Sequence, residues 1–304
     1  FFQWGNDRIA RNSCTRKMRL TRSARLWLLA MIMPGGLSHA QEDPASTLHW
    51  AYASFFGTGW YKLSDQQSAF IANFSIRWLT GETDWGVSDQ PKPRYTVRVP
   101  FTVGINRLEL NDIPGIFDPE NFSTVSVGLS ADLDIPITRR FSVRPNAQLS
   151  YGMVLGASDE AYTYRADVRG RYWLRNDERQ WALHGSLGYV GYDASPGLDD
   201  NFAYASLGME YSHPVGWLST GDSQSLLHWH LVYMDLVNRI EVRTAEDELT
   251  EVTNFWQVGL AFGKRDSRMK FGFLSFERLG LAYDISPSGE LRGIKFVFKS
   301  LYEP

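Results

Sequence analysis

The sequence contains a single cysteine, Cys14, and none in residues 41–304. That part of the chain therefore has no disulfide, no cysteine-ligated metal and no cysteine for a lipid anchor. After residue 40 there is also no run of about 20 apolar residues, which argues against a helical membrane protein. Helical periodicity is nearly absent there too. Aromatic residues are plentiful, with 11 Trp, 14 Tyr and 18 Phe, and a hydrophobic content of 43% argues against wholesale disorder.

A targeting segment precedes the rest of the chain. Met18 is followed by three arginines and then by the apolar run 26–33, after which small residues lead to Ala40. A basic stretch, an apolar run of about 7–15 residues and a small-x-small site are typical of a secretory signal peptide. We predict a signal peptide over 18–40, cleaved after Ala40, and an upstream extension over 1–17 outside the folded domain.

The charge changes when that segment is removed. Residues 1–40 hold seven of the 31 basic residues and one of the 34 acidic residues, so residues 41–304 carry 24 and 33, a net charge of −9. Phosphate binding needs a basic surface, so a nucleic-acid partner is disfavoured. No glycine-rich phosphate motif follows a strand and opens a helix, and we predict no cofactor.

Alternation of apolar and polar residues dominates the chain after Gln41. Every second residue from Val125 to Ile135 is apolar, and the residues between them are Ser, Gly or Asp. Such alternation predicts β-strands. Ser275 and Glu277 interrupt the apolar face of 269–284, where we expect a bulge. The twelve alternating segments lie near 50–63, 68–80, 94–108, 121–136, 140–155, 160–175, 180–193, 202–213, 226–241, 253–264, 269–284 and 291–299.

Many of these segments exceed the usual length of soluble strands, about 5–6 residues, and suffice to cross a bilayer when tilted, which takes about 9–11. A lipid-exposed sheet must close, because its backbone groups need partners. We therefore predict an all-β fold, a twelve-stranded antiparallel transmembrane β-barrel, over 41–304. Aromatic residues near segment ends are predicted to form interfacial girdles. They are Trp60, Tyr61, Trp78, Tyr95, Trp173, Trp181, Tyr192, Trp217 and Trp229.

The last segment carries a Gly-x-x-aromatic-x-aromatic pattern formed by Gly293, Phe296 and Phe298. It resembles the insertion signal on the final strand of bacterial outer-membrane barrels, which the assembly machinery recognises. An unpaired edge strand of this kind can be captured by strand addition before the barrel closes. The sequence departs from the usual form at two places: residues 299–304 follow Phe298, and Leu291 stands where a polar residue is usual.

With twelve segments, about 260 predicted mature residues and the C-terminal insertion-signal pattern, the chain resembles the autotransporter translocator barrel over 48–298. More narrowly, the opening Trp50–Tyr61 resembles the solitary outer-membrane barrels of this type that lack a passenger, and the roughly nine residues between Ala40 and the first segment are too few for a passenger. The resemblance implies a Gram-negative outer membrane reached through the secretory pathway. The implied partners are outer-membrane lipid and lipopolysaccharide, with periplasmic chaperones and the β-barrel assembly machinery during insertion. It implies no defined biochemical activity.

Charged residues and histidines on the polar faces are predicted to line the lumen. They are Asp132, Asp134, Arg144, Arg165, Asp167, Arg169, Arg171, His228 and His230. Two interpretations remain open. The charges bias ion passage through a pore, or opposite charges on adjacent strands pair and fill a narrow lumen.

Candidate chemistry is sparse. His228 and His230 share a strand face, and with His184 they are candidate metal ligands, but a site needs a third and usually a fourth ligand, and we predict no metal. A lipid-hydrolysing barrel would need a Ser/His/Asp group on the lipid side, which spacing cannot reveal, and no nucleophile motif is present, so we predict no catalytic residue. The acidic segment 244–251 is either a divalent-cation site or, more simply, a solvated loop.

The sequence therefore predicts a passenger-less barrel with a structural or narrow-pore role. The alternatives are a porin-like channel for small solutes and, as the weaker one, a lipid-modifying barrel enzyme.

Overall fold

The computed structural model describes residues 55–63, 67–82, 92–106, 124–155, 159–195, 198–216, 224–243, 249–265, 269–271 and 274–302. The extension 1–17, the signal peptide 18–40 with its cleavage after Ala40, and residues 244–248 of the acidic segment lie outside these residues and stay predictions. Among the described residues, no helix is long and apolar enough to cross a membrane.

Fourteen strands account for most of the described chain. They are β1 (Gly59–Leu63), β2 (Gln67–Glu82), β3 (Arg94–Asn106), β4 (Thr124–Pro136), β5 (Phe141–Val154), β6 (Glu160–Asn176), β7 (Gln180–Ala194), β8 (Leu198–Pro214), β9 (Ser225–Arg243), β10 (Leu249–Lys264), β11 (Met269–Phe271), β12 (Leu274–Phe276), β13 (Arg278–Ile285) and β14 (Leu291–Val297).

Twelve of these strands close into one barrel, in the order β1-β14-β13-β10-β9-β8-β7-β6-β5-β4-β3-β2, and every pairing is antiparallel. The barrel closes where β1 meets β14, from Gly59 opposite Lys295 to Leu63 opposite Leu291. The predicted twelve-stranded antiparallel barrel is thereby confirmed. We call the end where β1 begins and β14 finishes the terminal end, and the opposite end the loop end.

The segment 269–284 was expected to be one bulged strand, and that prediction is wrong. β11 and β12 form a separate two-stranded sheet, and β13 alone joins the barrel, beginning at Arg278. The reason lies in the alternation. Leu279 and Leu281 face outward with 49% and 52% exposure, so a longer β13 would place the polar side chain of Glu277 on the same apolar outer face.

The first barrel strand is also shorter than predicted, because β1 begins at Gly59 rather than near residue 50. Before it, Thr58 binds the edge of β2: its hydroxyl accepts from Asn73 N at 2.8 Å and lies 3.0 Å from Asn73 O. Phe56, two residues earlier, is buried. The chain therefore leaves the wall at Thr58 and enters the interior, and residues 50–54 are not described.

The two faces of the barrel wall differ in chemistry. Large apolar side chains are exposed on the outward face of ten of the twelve barrel strands, with Leu187 at 68% and Leu207 at 66%. The inward positions carry most of the buried polar and charged groups. Tyr61 and Tyr192, expected in the girdles, are instead 3% exposed and belong to the interior cluster, because each falls on an inward position of its strand.

Candidate functional site

The lumen toward the loop end is filled by an apolar cluster. Phe55 and Phe56 enter it from the start of the described chain, and the Phe55 ring lies 5.0 Å from that of Phe202 and 5.2 Å from that of Tyr204. Phe202 is 1% exposed and Tyr204 3%. Aromatic rings packed edge to face at these distances bury much area and hold the opposing strands together.

Toward the terminal end the lumen is polar, and β3, β4 and β5 contribute one ion-pair cluster. Arg98 donates to Asp132, and Arg144 Nε lies 3.7 Å from the second Asp132 oxygen. Arg144 Nη2 also donates to Asp134 Oδ2 at 2.9 Å. Each of these carboxylates thus meets a guanidinium from an adjacent strand, and Arg98, Asp132 and Arg144 are at most 6% exposed. Such charge-assisted contacts compensate the burial of the charges.

The predicted lumen-lining residues of β6 are Arg165, Asp167, Arg169 and Arg171, here called the charged ladder, and the first three of them pair along their own strand. Asp167 is 3% exposed, and its two oxygens accept from Arg165 Nε at 2.7 Å and Arg169 Nε at 2.9 Å. Arg165 Nη2 also donates to the Tyr204 hydroxyl of β8 at 2.8 Å. This differs from the pairing between adjacent strands that the filling interpretation assumed for the ladder.

Arg171, the last ladder residue, packs against aromatic rings. Its guanidinium carbon lies 4.2 Å from the ring centroid of Tyr302 and 4.9 Å from that of Trp173. Contacts of this length are cation–π interactions. Trp173 is therefore an inward residue on the same face as Arg171, and not part of an outer girdle as predicted.

Tyr302 belongs to the C-terminal segment, residues 298–302, which follows β14 and folds into the terminal end of the lumen. Its ring is 1% exposed, and its hydroxyl donates to Asp134 Oδ1 at 2.7 Å. The Arg144 guanidinium lies 4.3 Å from the ring centroid and donates to the Tyr302 backbone oxygen at 3.4 Å. Burial and the hydrogen bond to Asp134 raise the pKa of the Tyr302 phenol, so it remains a neutral donor.

The rest of the C-terminal segment is bound to the wall. Lys299 Nζ donates to Ser75 Oγ of β2 at 3.0 Å. Ser300 N donates to Glu277 Oε2 at 3.2 Å, and the Phe298 ring stacks on that of Phe276 at 5.1 Å. The C-terminal segment thereby connects Ser75 of β2 with Phe276 and Glu277, which directly precede β13.

Two further ion pairs involve residues that the sequence did not single out. Arg278 of β13 forms a two-pronged pair with Glu210 of β8, with Nη2 to Oε1 at 2.9 Å, and both are buried. Lys295 Nζ lies 3.0 Å from Asp284 Oδ2. Glu210 and Arg278 stand on inward positions of predicted strands, so alternation could have marked them. Their pairing could not be read, since β8 and β13 are not neighbours in the sheet.

The predicted histidines lie on inward positions but are not grouped with other ligands. His228 Nδ1 is 2.6 Å from Ser212 Oγ. His230 and His184 are 4% and 8% exposed, and both ring nitrogens of His184 and Nε2 of His230 have no hydrogen-bond partner among the described residues. Across the described ranges, no three His, Cys, Asp or Glu side chains are placed to hold a metal.

The Ser212–His228 contact is the arrangement that a serine hydrolase would need, but it stands in the wrong place for a lipid-modifying barrel. Both side chains point into the lumen and are buried, at 1% and 4% exposure. A hydrolase acting on membrane lipid would carry its nucleophile on the lipid side. The contact is therefore accounted for by mutual hydrogen bonding of two buried polar groups.

The residues of the resembled insertion signal lie at the barrel seam. Gly293 stands opposite Tyr61, and a Cβ atom on it would approach Tyr61 Cδ1 to 2.7 Å. The Phe296 ring packs 5.7 Å from Trp60 and 5.9 Å from Phe298. These contacts place Gly293 and Phe296 at the closure of the barrel and Phe298 directly after β14, and the recognition of the three residues during assembly stays a prediction.

Fold and site together define a closed twelve-stranded antiparallel β-barrel with an apolar cluster and buried ion pairs in its lumen. No family model matches the chain, and no curated protein matches it.

Several solved structures are similar to it. The translocator domain of the autotransporter NalP from Neisseria meningitidis has a TM-score of 0.48 at 10% identity, over 78% of this chain and 82% of that one. The beta domain of the Bordetella autotransporter BrkA has 0.45 at 9%, over 78% and 91%. The transport unit of the autotransporter AIDA-I from Escherichia coli has 0.39 at 13%, over 91% and 97%. All three are autotransporter barrels, the class that the sequence resembles.

Proposed function

We propose that the chain is an outer-membrane barrel of the autotransporter translocator type without a passenger, closed to solutes and structural in role. Support for the membrane comes from the outer surface. Ten barrel strands expose large apolar side chains there, and the antiparallel sheet closes on itself, so that each barrel strand pairs with a neighbour on both sides over at least part of its length. A location in the outer membrane of a Gram-negative bacterium, reached through the secretory pathway, is part of this proposal.

Support for a closed lumen comes chiefly from the C-terminal segment. Tyr302 stands between Arg144 and Arg171 and is almost fully buried. Toward the loop end, Phe55 packs against Phe202. Side chains that fill both halves of a narrow barrel leave little room for hydrated ions, or for a passenger in transit.

The small-solute channel is the second candidate, and one observation favours it. The lumen retains a cavity of about 360 Å³ with cationic side chains on its wall. A channel of this kind would pass small anions if the C-terminal segment moved aside. The lipid-modifying enzyme is less well supported, because the Ser212–His228 contact faces the lumen.

The partners follow from the same placement. Outer-membrane lipid and lipopolysaccharide would contact the apolar outer face, and periplasmic chaperones with the β-barrel assembly machinery would insert the chain. Depletion of the assembly machinery should then leave the chain out of the outer-membrane fraction.

Planar-bilayer conductance of the folded full chain tests the closed lumen. We expect little or no steady current from the natural sequence. Tyr302→Ala should raise the conductance several-fold, because it removes the ring between two arginines and its bond to Asp134. Tyr162→Ala is the matched control, since Tyr162 faces outward with 56% exposure, and its conductance should stay at the original level.

Heat-dependent gel migration shows that each variant is folded. A steady open current from the natural sequence, equal to that of Tyr302→Ala, would contradict the closed lumen and favour the channel. Failure of the chain to enter vesicles would contradict the membrane placement itself.

A further inference from the structure

The C-terminal segment occupies a site whose walls belong to three neighbouring strands of the barrel. Asp134 lies on β4, Arg144 on β5 and Arg171 on β6, and we call these three side chains the tyrosine cradle. All three contact the side chain of Tyr302, which is 1% exposed. The cradle is part of the barrel wall, whereas its occupant belongs to a chain segment that follows the last strand.

The cradle recognises both the ring and the hydroxyl of a tyrosine side chain. The ring centroid lies 4.3 Å from the guanidinium of Arg144 and 4.2 Å from that of Arg171. The hydroxyl donates to Asp134 Oδ1 at 2.7 Å, and Arg144 donates to the Tyr302 backbone oxygen at 3.4 Å. Cation–π contacts select an aromatic ring, and the carboxylate selects a hydroxyl group on that ring. The site therefore favours tyrosine over phenylalanine or an aliphatic residue.

Two of the three cradle side chains are oriented by ion pairs within the wall, independently of the occupant. Arg144 Nη2 donates to Asp134 Oδ2 at 2.9 Å, and Arg144 Nε lies 3.7 Å from Asp132 Oδ1. Arg171 differs, because its Nε has no hydrogen-bond partner among the described residues. Withdrawal of Tyr302 would thus leave a formed site that still favours an aromatic ligand.

The cradle borders a second, polar cavity at the terminal end. Asp134 and Arg144 line this cavity of about 170 Å³ together with other residues, among them Arg77 and Arg94, and the latter two are exposed. The Asp134 side chain keeps 26% exposure although it is bound to Tyr302. The carboxylate that recognises the hydroxyl is therefore accessible from solvent.

The rest of the C-terminal segment adds two contacts that a ligand could share. The Phe298 ring stacks on that of Phe276 at 5.1 Å, and Lys299 Nζ donates to Ser75 Oγ of β2 at 3.0 Å. An aromatic residue, a lysine directly after it and a tyrosine three positions further on are thus the features that fit the terminal end of the lumen.

We infer that the tyrosine cradle is a binding site for a peptide segment of the pattern aromatic-Lys-x-x-Tyr, and that the C-terminal segment occupies it as an autoinhibitory ligand from the same chain. A ligand tethered by a short linker has an effective concentration in the millimolar range, so it excludes a free peptide of similar affinity until it is withdrawn. The inference goes beyond the structural role proposed above, because it assigns the lumen a ligand, and it does not depend on the membrane placement.

Isothermal titration calorimetry of the full chain folded in detergent tests the inference, with the acetylated pentapeptide Phe-Lys-Ser-Leu-Tyr of residues 298–302 as titrant. Tyr302→Ala removes the anchor of the C-terminal segment, and this variant should bind the peptide at one site. The natural sequence should bind it at least about tenfold more weakly, because its own Tyr302 competes. The matched control is Tyr162→Ala, which removes an outward tyrosine with 56% exposure and should behave like the natural sequence.

Two further changes test the recognition of the tyrosine. A peptide with phenylalanine in place of the tyrosine cannot donate to Asp134, and it should bind Tyr302→Ala about tenfold more weakly. Arg171→Leu, added to Tyr302→Ala, removes one cation–π contact and should weaken binding of the original peptide about three- to tenfold. Arg179→Leu in the same background is the control, because Arg179 is an exposed residue of the turn between β6 and β7, and it should leave the affinity unchanged.

Heat-dependent gel migration shows whether each variant is folded. If Tyr302→Ala does not fold, Tyr302→Phe replaces it, since this variant keeps the ring in the cradle and lacks only the hydroxyl; it should bind the peptide more tightly than the natural sequence. Equal affinity of the natural sequence and the Tyr302 variant, no binding by either, or equal affinity of the tyrosine and phenylalanine peptides would overturn the inference. A natural barrel that conducts steadily while its Tyr302→Ala variant binds the peptide would instead contradict the closed lumen and leave the site standing.

Discussion

Buried charged residues in the lumen form specific ion pairs. The pair of Glu210 and Arg278 joins two strands that are distant both in the chain and in the sheet. The two residues are 68 positions apart in the chain and belong to strands that are not neighbours. Each is at least nine-tenths buried. A buried ion pair gives little net stability as a whole, but removal of one partner leaves the other charge unpaired in a low-dielectric interior.

Glu210→Ala should therefore lower the free energy of unfolding by about 3–5 kcal/mol, because Arg278 loses its carboxylate. Urea unfolding of the barrel folded into vesicles measures this. The control is Arg175→Ala, which removes a pair with Asp177 whose side chains are 57% and 53% exposed, and whose midpoint should not move. Equal shifts for the two variants would show that the Glu210 pair is screened by water.

The sequence indicated part of this residue-scale arrangement. Asp132 and Arg144 stand on the polar faces of consecutive predicted strands, and in the structure Arg144 Nε lies 3.7 Å from Asp132 Oδ1. Tyr302 gave no signal, because it lies beyond the last alternating segment, and its partners come from β4, β5 and β6. Contacts across a lumen depend on the barrel diameter, which alternation along a strand does not encode.

Glycine and aromatic residues set how closely neighbouring strands approach. The Tyr204 ring lies over Gly188 and the Tyr164 ring over Gly191, where an added Cβ would lie 2.4 Å from Tyr204 Cε1 and 2.5 Å from Tyr164 Cζ. At Gly280 of β13 the obstacle is rigid. A Cβ there would lie 2.1 Å from Leu260 O and 2.4 Å from Ala261 Cα, both backbone atoms of β10.

Gly280→Ala should thus force β13 away from β10 and destabilise the barrel by about 1–3 kcal/mol, as overpacking does. Gly185→Ala is the matched control, since its nearest contact would be Ser206 O at 3.6 Å, an ordinary distance, and its stability should be unchanged or slightly raised. Unfolding midpoints in urea distinguish the two. A Gly280→Ala barrel as stable as the Gly185→Ala barrel would mean that the strands separate without cost.

The barrel presents an apolar exterior, and its proposed depth in a bilayer can be measured. Leu207 lies mid-strand in β8 with 66% exposure, and Ile137 lies in a turn at the terminal end with 45% exposure. A cation on the outer face is costly at the bilayer midplane and nearly free at the interface. These two aliphatic residues therefore differ in depth while sharing chemistry and outward exposure.

Leu207→Arg should destabilise the vesicle-folded barrel by about 2–4 kcal/mol, and Ile137→Arg by about 0–1 kcal/mol. The folded fraction at a series of urea concentrations, in vesicles of one lipid, gives both values. If Ile137→Arg were the more costly variant, the bilayer would lie across the terminal turns and the proposed placement would be wrong.

The sequence alone determined the strand content, the number of barrel strands and the chemistry of the two faces. Period-two alternation is a local property. Within each segment, such as 122–135, it indicates which side chains face outward and which face the lumen. Closure also followed from the sequence, because a long apolar-faced sheet in a bilayer has no tolerated edge.

The tertiary structure alone decided what fills the barrel. It made β13 begin at Arg278, because Glu277 would place a charge on the outer face, and it paired β11 with β12 in a separate sheet before it. It also folded the C-terminal segment against Arg144 and Arg171 and left the cavity beside His184 and His230. These features depend on register, diameter and long-range partners, which appear when twelve strands close and bring distant polar groups into one low-dielectric space.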